Sequence, residues 1–464
     1  MPNDSFDVIV IGAGTGGYSC ALRAAQLGKK VALVERDERV GGTCLLRGCI
    51  PTKALLQSAA VMDQVNRSEE WGIKASGEPD WSAVLDFQRK IVDKLVSGLA
   101  GLLKARKIEV VRGTGRLTAP TTVEVTAGKG TRTLEAADVV VATGSYPKML
   151  PGLEIGKRVI TSDQALTLDH IPASAVVIGA GAVGLEFASI YRSFGADVTV
   201  VEALDRLAPL EDEDISKDLA RAFRKRGIAA HAGAKVQEVK ESADEVTVTI
   251  DTGKGTETVT AEICLVAVGR GPITEGLGLE ELGVTLDRGF VKINGQGQSS
   301  VAHVWAIGDV ADTPLQLAHV SFAEGVAVAE RIAGQDVAEI EYVGIPRVTF
   351  SSPEIASVGL TEAQARERGH DVESEKFSLQ GLGKANIVGE AGTCKVVADR
   401  ASGVVLGVHM IGPHVTDLIS EAMLITNWEA TAPEVAALIH PHPTLSEAIG
   451  EAHLALAGKP LHGT

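Results

Sequence analysis

Long apolar runs are missing from this chain of 464 residues. No stretch approaches the roughly 18 to 20 apolar residues that a membrane-spanning helix needs. The first residues, MPNDSFDVIVIGAG, lack the basic segment and the cleavage site of a secretory signal peptide. Low-complexity segments are absent from the sequence as well. We therefore expect a cytoplasmic protein that has no membrane partner.

Positive charge is also scarce, because 44 Lys and Arg residues stand against 60 Asp and Glu residues, a net charge of −16. A surface of this sign repels nucleic acid and anionic lipid at long range, so neither is an expected partner. The chain is too long for one hydrophobic core, and we expect three or more domains. Glycine, by contrast, is abundant with 51 residues, which indicates many tight turns of the kind that phosphate-binding loops use.

Cysteine is rare, yet two of the five cysteines stand close together in GGTCLLRGCIPTK, residues 41–53. A structural disulfide is unusual in the cytoplasm, where close cysteine pairs bind metal or carry redox chemistry. An iron–sulfur site needs further thiolates nearby, and a zinc site needs a CxxC or CxxH pair. The sequence supplies neither, since the other cysteines are isolated: Cys20, Cys264 and Cys394. We therefore predict that Cys44 and Cys49 form a redox dithiol and that no metal is bound.

One pattern occurs twice: an apolar run, a glycine loop, a helical pattern, a second apolar run and an acidic residue. The copies are FDVIVIGAGTGGYSCALRAAQLGKKVALVERD and SAVVIGAGAVGLEFASIYRSFGADVTVVEALD. Each contains GxGxxG with a glutamate 23 residues after the first glycine: Gly12, Gly14, Gly17 and Glu35, then Gly179, Gly181, Gly184 and Glu202. Two such copies predict two dinucleotide-binding βαβ units, and the alternative is a glycine-rich βαβ without a ligand.

The chemistry of these units indicates which cofactor each one holds. The glycines let the backbone approach a pyrophosphate at a helix N-terminus, and the acid accepts hydrogen bonds from a ribose diol. An acid would repel a 2′-phosphate, so Glu202 favours NAD over NADP. The cysteine pair follows the first unit directly, and flavin accepts both a thiolate adduct and a hydride. We therefore predict FAD at the first site and NAD at the second.

The segment CIPTKALLQSAAVMDQV predicts a helix that begins near Cys49, with Pro51 in its first turn. A thiol at that end of a helix is more readily a thiolate, which suits Cys49 to lie against flavin.

The C-terminal HPHPTLSE motif has two interpretations. The residues alone favour loop histidines at His440 and His442, and a capping box in which Thr444 starts a helix and pairs with Glu447. The chemistry favours a function, because a dithiol must lose a proton to attack a disulfide and imidazole has a suitable pKa.

Several motifs, in order along the chain, resemble those of the flavin-dependent pyridine nucleotide–disulfide oxidoreductases. They are the two fingerprints, GGTCLLRGCIPTK, VVVATGS (139–145), AVGRGP (267–272), VWAIGDVAD (304–312) and HPHPTLSEAIGEAHLA. The match covers essentially the whole chain, and within the family it is most like the members that oxidise dihydrolipoyl groups with NAD. The resemblance implies an α/β fold with two Rossmann-like domains, for FAD and NAD, and an α+β C-terminal dimerisation domain.

The resemblance also implies roles for the reactive residues. Cys44 is expected to exchange with the substrate sulfur, and Cys49 to be the thiol next to flavin. His442 is expected to be the acid–base and Glu447 its orienting carboxylate, with Glu447 able to serve both functions. Lys53 matches a lysine beside the reactive edge of flavin.

Other residues match the cofactor-binding parts of the family. Glu186 matches the ion-pair partner of Lys53, and Asp309 matches an acid near the ribityl or phosphate region of FAD. From the residues alone, Lys53 and Glu186 are surface charges of helices and Asp309 is a turn aspartate. Further positions are expected to line the cofactor sites: Thr43, Thr143, Gly144 and Gly269.

The family's C-terminal segment reaches the site of the neighbouring subunit, which implies a homodimer with shared sites. The implied substrate is a lipoyl group on a protein arm, as in 2-oxo acid dehydrogenase or glycine cleavage complexes. Glutathione-type reductases prefer NADPH, which Glu202 disfavours, and mercuric and large thioredoxin reductases carry a C-terminal cysteine pair that HLALAGKPLHGT lacks. Another small disulfide as substrate and a non-catalytic dinucleotide-binding subunit are the remaining alternatives.

One stretch departs from the family's pattern. Leu45, Leu46, Arg47 and Gly48 separate the cysteines, where the family more often has an Asn–Val pair before the glycine. We expect the charge of Arg47 to alter the redox potential or the docking preference. The predicted domain boundaries are 1–148 for FAD, 149–272 for NAD, 273–342 for a segment that returns to the FAD domain, and 343–464 for an interface domain of antiparallel strands followed by helices.

Overall fold

The structure is a computed structural model that describes residues 4–463. The chain divides into two compact units. The first comprises Met1–Ala54, Leu85–Lys148 and Gly269–Tyr342, and the second comprises Leu55–Val84, Met149–Val268 and Val343–Thr464. Each unit contains one of the two dinucleotide folds. The four domain ranges predicted from the sequence stay a prediction.

The first dinucleotide fold is a parallel sheet with an antiparallel extension. Its strands lie in the order β3-β2-β1-β6, all parallel, and β5 and β4 continue from β6 in antiparallel pairing. The elements up to residue 147 are β1 (Ser5–Ile11), α1 (Thr15–Gln26), β2 (Val31–Glu35), α2 (Gly42–Arg47), α3 (Cys49–Asn66), a 3-10 helix (Ser68–Trp71), α4 (Trp81–Ala105), β3 (Glu109–Arg112), β4 (Thr114–Ala119), β5 (Thr122–Ala127), β6 (Gly130–Val141) and β7 (Ser145–Pro147).

Strand β1 is buried on both faces, which explains its continuous apolar run. Val8 and Val10 pack into the cluster that contains Leu33, whereas Ile9 and Ile11 pack into a second cluster on the other face. Because parallel strands have buried faces on both sides, their sequences do not alternate with polar residues. The carboxyl ends of β1 and β2 therefore meet at one edge of the sheet, where the first glycine loop lies.

The second dinucleotide fold repeats this arrangement with five parallel strands in the order β11-β10-β9-β15-β8. A three-stranded antiparallel sheet, β12-β13-β14, follows it. The elements are β8 (Val159–Ile160), α5 (Ser162–Ala165), β9 (Ser174–Ile178), α6 (Ala182–Ser193), β10 (Asp197–Glu202), α7 (Glu213–Lys225), β11 (Ala229–Ala232), β12 (Lys235–Glu241), β13 (Val246–Asp251), β14 (Thr256–Ala261) and β15 (Ile263–Val266). Both predicted βαβ units are confirmed.

Residues 270–332 add to the first unit. Strand β16 pairs with β7, and β19 pairs in parallel with β6, so it extends the first sheet. The elements are β16 (Arg270–Pro272), β17 (Leu286–Asp287), β18 (Phe290–Val291), β19 (Val304–Ala306), a 3-10 helix (Gly308–Val310) and α8 (Ala318–Ile332).

The C-terminal part is an α+β arrangement, as predicted. Five antiparallel strands lie in the order β20-β21-β24-β23-β22, and the last helices share one apolar cluster with this sheet. The elements are β20 (Arg347–Thr349), β21 (Glu354–Gly359), α9 (Glu362–Glu367), β22 (Val372–Ser378), a 3-10 helix (Leu379–Gly381), α10 (Gly383–Val388), β23 (Thr393–Asp399), β24 (Val405–Gly412), α11 (Val415–Asn427), α12 (Ala432–Ala436) and α13 (Glu447–Leu456).

Candidate active site

The two glycine loops bring a helix N-terminus against a strand in the same way. In the first loop, a methyl group on Gly17 would lie 1.8 Å from the carbonyl oxygen of Gly12. In the second loop, a methyl group on Gly184 would lie 1.9 Å from the carbonyl oxygen of Gly179. Only glycine permits this approach, which leaves the first N–H groups of α1 and α6 directed at the loop, where a pyrophosphate binds.

The acid of the first fingerprint, Glu35, ends β2 and is only 6% exposed. Its Oε2 accepts a hydrogen bond from the Ala13 N–H at 2.8 Å, and its Oε1 accepts one from the Asp37 N–H at 2.8 Å. Burial raises the pKa of Glu35, and the Ala13 N–H and the nearby arginine charges offset only part of that effect. Each carboxylate oxygen keeps a lone pair, so a ribose diol fits this acid.

The acid of the second fingerprint, Glu202, is held in the same geometry at the end of β10. Its Oε2 accepts from the Ala180 N–H at 2.7 Å, and its Oε1 accepts from the Leu204 N–H at 2.8 Å. The side chain is 8% exposed. The two predicted ribose acids therefore have matching positions at the edges of their sheets.

The cysteine pair lies where two helices meet. Cys44 is in the short helix α2, which the sequence did not predict, and Cys49 is the first residue of α3, as predicted, with Pro51 in the first turn. Gly48 lies between the two helices and ends α2. The Cys44 thiol forms a hydrogen bond with the Cys49 side chain, and both cysteines are partly buried.

The surroundings of the cysteine pair change the pKa of the Cys44 thiol. The hydrogen bond to Cys49 raises the pKa of Cys44, and burial raises it further, whereas the charge of Lys53 lowers it by less. The contact with Cys49 and burial therefore favour the protonated form of the Cys44 thiol. That Cys49 is the thiolate stays a prediction, which its position at the N-terminus of α3 favours.

The segment that carries the cysteines is packed directly on the first glycine loop. The Gly41 N–H donates to the Ala13 carbonyl oxygen at 2.9 Å. A methyl group on Gly42, whose φ is +60°, would lie 2.4 Å from the Gly14 Cα. The backbone of α2 therefore begins in contact with the loop that is predicted to hold FAD.

Three motifs from distant parts of the sequence meet in the first unit. Asp309 accepts a hydrogen bond from the Ser145 hydroxyl at 2.5 Å, and the Arg270 Nε donates to the same hydroxyl oxygen at 2.6 Å. The Arg270 Nε lies 3.8 Å from the Asp309 carboxylate. The Thr143 hydroxyl donates to the Ile273 carbonyl oxygen at 2.6 Å. Sequence reasoning missed Ser145 and Arg270, although both belong to the motifs that carry the family resemblance.

The predicted His–Glu pair is formed in the second unit. The His442 Nδ1 lies 2.8 Å from the Glu447 Oε1, and the Thr444 N–H donates to the Glu447 Oε2 at 2.8 Å. Burial raises the pKa of Glu447, but the Thr444 N–H and His442 outweigh it, so the pKa is lowered overall. The His442 side chain is 75% exposed, which leaves its ring accessible.

The predicted capping box is only half formed, and this is a correction. Helix α13 begins at Glu447, not after Thr444, and Ser446 is its N-cap residue. The Thr444 hydroxyl donates to the Pro441 carbonyl oxygen at 2.7 Å, so it is directed into the preceding turn. The backbone at Pro441–Thr444 therefore follows the turn instead of the helix.

A second His–carboxylate pair lies beside the first. The His440 Nε2 is 2.7 Å from the Glu421 Oε1, and this hydrogen bond raises the pKa of His440. A methyl group on Gly450 would lie 2.5 Å from the His440 Nδ1, so the ring occupies space that only glycine leaves. His440 lies in the loop between α12 and α13, as the residues alone predicted, and its ring is partly buried and held by Glu421.

The remaining predicted residues have the following places. Lys53 is one helical turn after Cys49 on α3, and its charge acts on Cys44. Glu186 is buried on α6, where its Oε1 accepts from the Phe350 N–H at 3.0 Å. The others lie in the first unit, Thr43 on α2 and two in turns with positive φ: Gly144 and Gly269.

Tyr18 is a residue near the cysteines that sequence reasoning missed. It follows the first GxGxxG and packs edge-on against Phe322, with ring centroids 5.5 Å apart. Burial raises the pKa of Tyr18 to about 12, and the charges of Cys44 and Cys49 contribute. The signal was its place on the first turn of α1, beside the residues that contact the cysteine segment.

The described residues contain neither a metal-binding cluster nor a helix that could cross a membrane. Within residues 4–463, no group of three or more His, Cys, Asp or Glu side chains is arranged to hold a metal ion. In the same described part, each helix is too short or too polar to cross a membrane.

Two family models match nearly the whole chain. Residues 6–325 match the pyridine nucleotide-disulphide oxidoreductase model, and residues 345–453 match the dimerisation domain of the same family. The chain belongs to the pyridine nucleotide-disulphide oxidoreductase family. Members of this family are oxidoreductases that use FAD and NAD(H), and the two matched loops fit those dinucleotides. Its dimerisation domain indicates a homodimer.

Individual family members are similar over their full length. The dihydrolipoyl dehydrogenase of Bacillus subtilis is 45% identical over 98% of this chain and 99% of its own. The dihydrolipoyl dehydrogenase of Rhizobium etli is 42% identical over 99% of each chain. Among solved structures, LpdA from Mycobacterium tuberculosis has a TM-score of 0.89 at 28% identity and covers 97% of this chain and 99% of its own.

Proposed function

We propose that this oxidoreductase converts dihydrolipoyl groups to the lipoyl disulfide and reduces NAD to NADH. The observation that carries the proposal is the pair of cysteine side chains in hydrogen-bond contact, on a segment packed against the first glycine loop. The chain is also 45% identical to a dihydrolipoyl dehydrogenase over nearly its full length. A dithiol substrate needs such a partner because thiol–disulfide exchange passes through a mixed disulfide.

The cofactor sites are assigned by their fit. FAD would be held by the start of α1, by Glu35 and by the Asp309 turn, with Thr43, Thr143 and Gly144 beside it. NAD would be held by the start of α6 and by Glu202, whose negative charge disfavours a 2′-phosphate. Gly269 lies in a turn of the first unit, and its family match supports a cofactor-lining role. When bound, FAD accepts two electrons from the dithiol and delivers them to NAD as a hydride.

The exchange begins with the Cys44–Cys49 pair as a disulfide. The ring of His442 removes a proton from one dihydrolipoyl thiol, and the thiolate attacks the Cys44 sulfur. The Cys44–Cys49 bond breaks, and Cys49 leaves as a thiolate. The second dihydrolipoyl thiol then attacks the substrate sulfur of the mixed disulfide and passes its proton to the leaving Cys44 sulfur, which releases the lipoyl disulfide and the Cys44 thiol. The two electrons now reside on the cysteine pair, and two protons have left the substrate.

Glu447 supports the first proton transfer. Its Oε1 contacts the His442 Nδ1, which leaves the other ring nitrogen to receive the substrate proton. Because the pKa of Glu447 is lowered, it remains a carboxylate and stabilises the protonated ring. Lys53 is the proposed cation beside the reactive edge of the flavin, and the role of Glu186 stays the prediction that the family resemblance gives.

The homodimer accounts for the exposure of His442. We propose that the His442–Glu447 pair of each subunit serves the cysteines of the other, so that each dimer has two shared sites. Exposed apolar side chains in the dimerisation domain, among them Trp428 and Ile439, would be covered by a second copy. The proposed partners are lipoyl domains of 2-oxo acid dehydrogenase or glycine cleavage complexes, and the proposed location is the cytoplasm.

The test compares substrates on the purified protein. We expect flavin absorbance in the isolated protein, rapid NAD reduction by dihydrolipoamide, and a long-wavelength band from the thiolate–flavin contact on partial reduction. Reduction of glutathione disulfide by NADH or NADPH serves as the control reaction. Bound flavin with inert dihydrolipoamide would leave the family and cofactors in place and transfer the proposal to another disulfide. A protein inactive with every disulfide would support a non-catalytic subunit.

A further inference from the structure

Arg47, the charged residue between the cysteines, forms an ion pair inside the first unit. It is the last residue of α2, and its guanidinium contacts the carboxylate of Asp37. The two side chains are 37% and 31% exposed. The charge that was expected to act on the dithiol or on a docking partner is therefore paired with an acid of its own chain.

Asp37 connects this pair to the first ribose acid. Its backbone N–H donates to the Glu35 Oε1 at 2.8 Å. Its carbonyl oxygen accepts from the Arg112 Nη1 at 2.8 Å. One residue thus joins the side chain of Arg47 to the carboxylate predicted to bind the adenosine ribose of FAD.

The opposite end of α2 is fixed to the same cofactor loop. The Gly41 N–H donates to the Ala13 carbonyl oxygen, and the Ala13 N–H donates to the Glu35 Oε2. Glu35 therefore accepts from both sides of α2, through Ala13 at its start and through Asp37 at its end. The short helix that carries Cys44 is held at both ends by groups that also hold this carboxylate.

We propose that Arg47 is a positioning residue for the FAD site and that Asp37 shields the cysteines from its charge. The pair holds the residues after β2 in the conformation in which the Asp37 N–H reaches Glu35. Loss of the pair frees that loop and weakens the hold on the adenosine half of FAD. The proposal rests on the proposed FAD and dithiol sites, but neither arm of its test needs turnover with dihydrolipoyl substrate.

The first arm measures FAD release from the purified holoenzyme by the rise of free-flavin fluorescence. Breaking a half-exposed ion pair changes an equilibrium by up to about 5-fold. We expect R47L and D37N each to release FAD about 3- to 5-fold faster, the double variant to be no faster than either, and R47K to restore slow release. The matched control is R39L, which removes the Arg39–Asp93 pair of the same unit and should leave FAD release unchanged.

The second arm measures the equilibrium of the cysteine pair against a glutathione buffer. Cys44 and Arg47 are three residues apart on α2, so they lie on one side of the helix. D37N leaves Arg47 unpaired, and an unpaired cation favours the thiolate form. We expect the ratio of dithiol to disulfide to rise about 3-fold in D37N, to stay unchanged in the double variant, which lacks both charges, and not to rise in R47L, which leaves the Asp37 carboxylate unpaired.

Three outcomes overturn the proposal. The first is FAD release from R47L at the rate of R39L. The second is FAD release from the double variant at the product of the single effects. The third is a raised KM of R47L for dihydrolipoamide with unchanged FAD release, which would make Arg47 a substrate contact. Failure of the proposed function looks different, because dihydrolipoamide would then be inert while R47L still releases FAD faster than R39L.

Discussion

The two dinucleotide loops share their geometry but differ in what lies over them. Each holds a buried glutamate by two backbone N–H groups, and each needs glycine where helix and strand touch. At the first loop, the backbone at Gly42 lies against Gly14. At the second loop, the equivalent Gly181 has no atom of the described residues within 4 Å of an added Cβ.

This difference matches two kinds of cofactor. A loop covered by its own chain retains its ligand, because the covering segment must move before the ligand leaves. An uncovered loop exchanges its ligand rapidly, as a cosubstrate requires. Under the proposed assignment, the same fingerprint serves a resident FAD at the first loop and an exchanging NAD at the second, and the segment that follows each loop makes the difference. The predictions below test this comparison.

The largest expected effect comes from removing the Cys44 sulfur, which lies on the segment packed against the first loop and has no counterpart at the second. C44S should reduce dihydrolipoamide oxidation by about 1,000-fold or more, because the attacked sulfur is lost. FAD should stay bound, and NADH should still reduce an artificial electron acceptor, since NAD binding does not involve Cys44. Steady-state assays of both reactions provide the measurement. A fully active C44S protein would rule out the dithiol assignment.

The covering contact can be broken by adding one methyl group to each loop. G42A should accelerate FAD release about 10- to 100-fold, because overpacking costs ~1–3 kcal/mol and the new Cβ meets the Gly14 Cα. G181A should keep FAD and raise the KM for NAD, since its Cβ enters the space of the pyrophosphate. Flavin retention during gel filtration and KM values give the comparison, and circular dichroism checks folding. Equal loss of FAD from G42A and G181A would contradict the proposed difference between the two loops.

Replacement of Glu35 and replacement of Glu202 should affect different cofactors. A hydrogen bond to a charged group contributes ~1.5–3 kcal/mol, so E202A should raise the KM for NAD about 10-fold or more. The ratio of kcat/KM with NAD to kcat/KM with NADP should fall in the same variant. E35A should accelerate FAD release with little change in the KM for NAD. Kinetics with both nucleotides and the flavin-release assay check these outcomes. A change of NAD preference in E35A would mean that the cofactors are assigned to the wrong loops.

The smallest effect concerns pH. Because the pKa of Glu35 is raised, the folded apoprotein takes up a proton at a pH where the unfolded chain is still ionised. The charge of Glu35 therefore costs the apoprotein stability as pH rises through the folded pKa, and FAD, which needs the carboxylate as acceptor, loses affinity as pH falls through it. FAD release from pH 8 to pH 5 should accelerate towards the acid side, and E35Q should show a flatter profile. A parallel profile in both proteins would assign the effect to another group.

The loops and their acids could be predicted from the sequence because their physics is local. A glycine that must touch a strand and an acid at the next strand end leave a fixed spacing. The helix that begins at Cys49 was predictable for the same reason, from the proline in its first turn. The roles of Cys44, Cys49 and His442 stay predictions, but the structure places the first two in contact and gives the third its carboxylate.

Other features could not be predicted because their partners are distant in the sequence. Helix α2 has six residues, which are too few for a periodic pattern. Its first residue, Gly42, is placed by contact with Gly14 of the first glycine loop. The contact of Ser145 with Asp309 spans 164 positions, and no spacing rule covers it. The capping box is only half formed because the Thr444 hydroxyl donates to the Pro441 carbonyl oxygen instead of capping α13.

Glu447 connects the proposed acid–base residue to the local backbone, and this double contact limits which residues can replace it. One of its oxygens orients the imidazole of His442, and the other holds the turn that places that histidine. A glutamine in its place would keep one oxygen but not the charge, and an aspartate would keep the charge but lose reach. Neither replacement keeps the charge together with both contacts, so we expect neither to be neutral at this position.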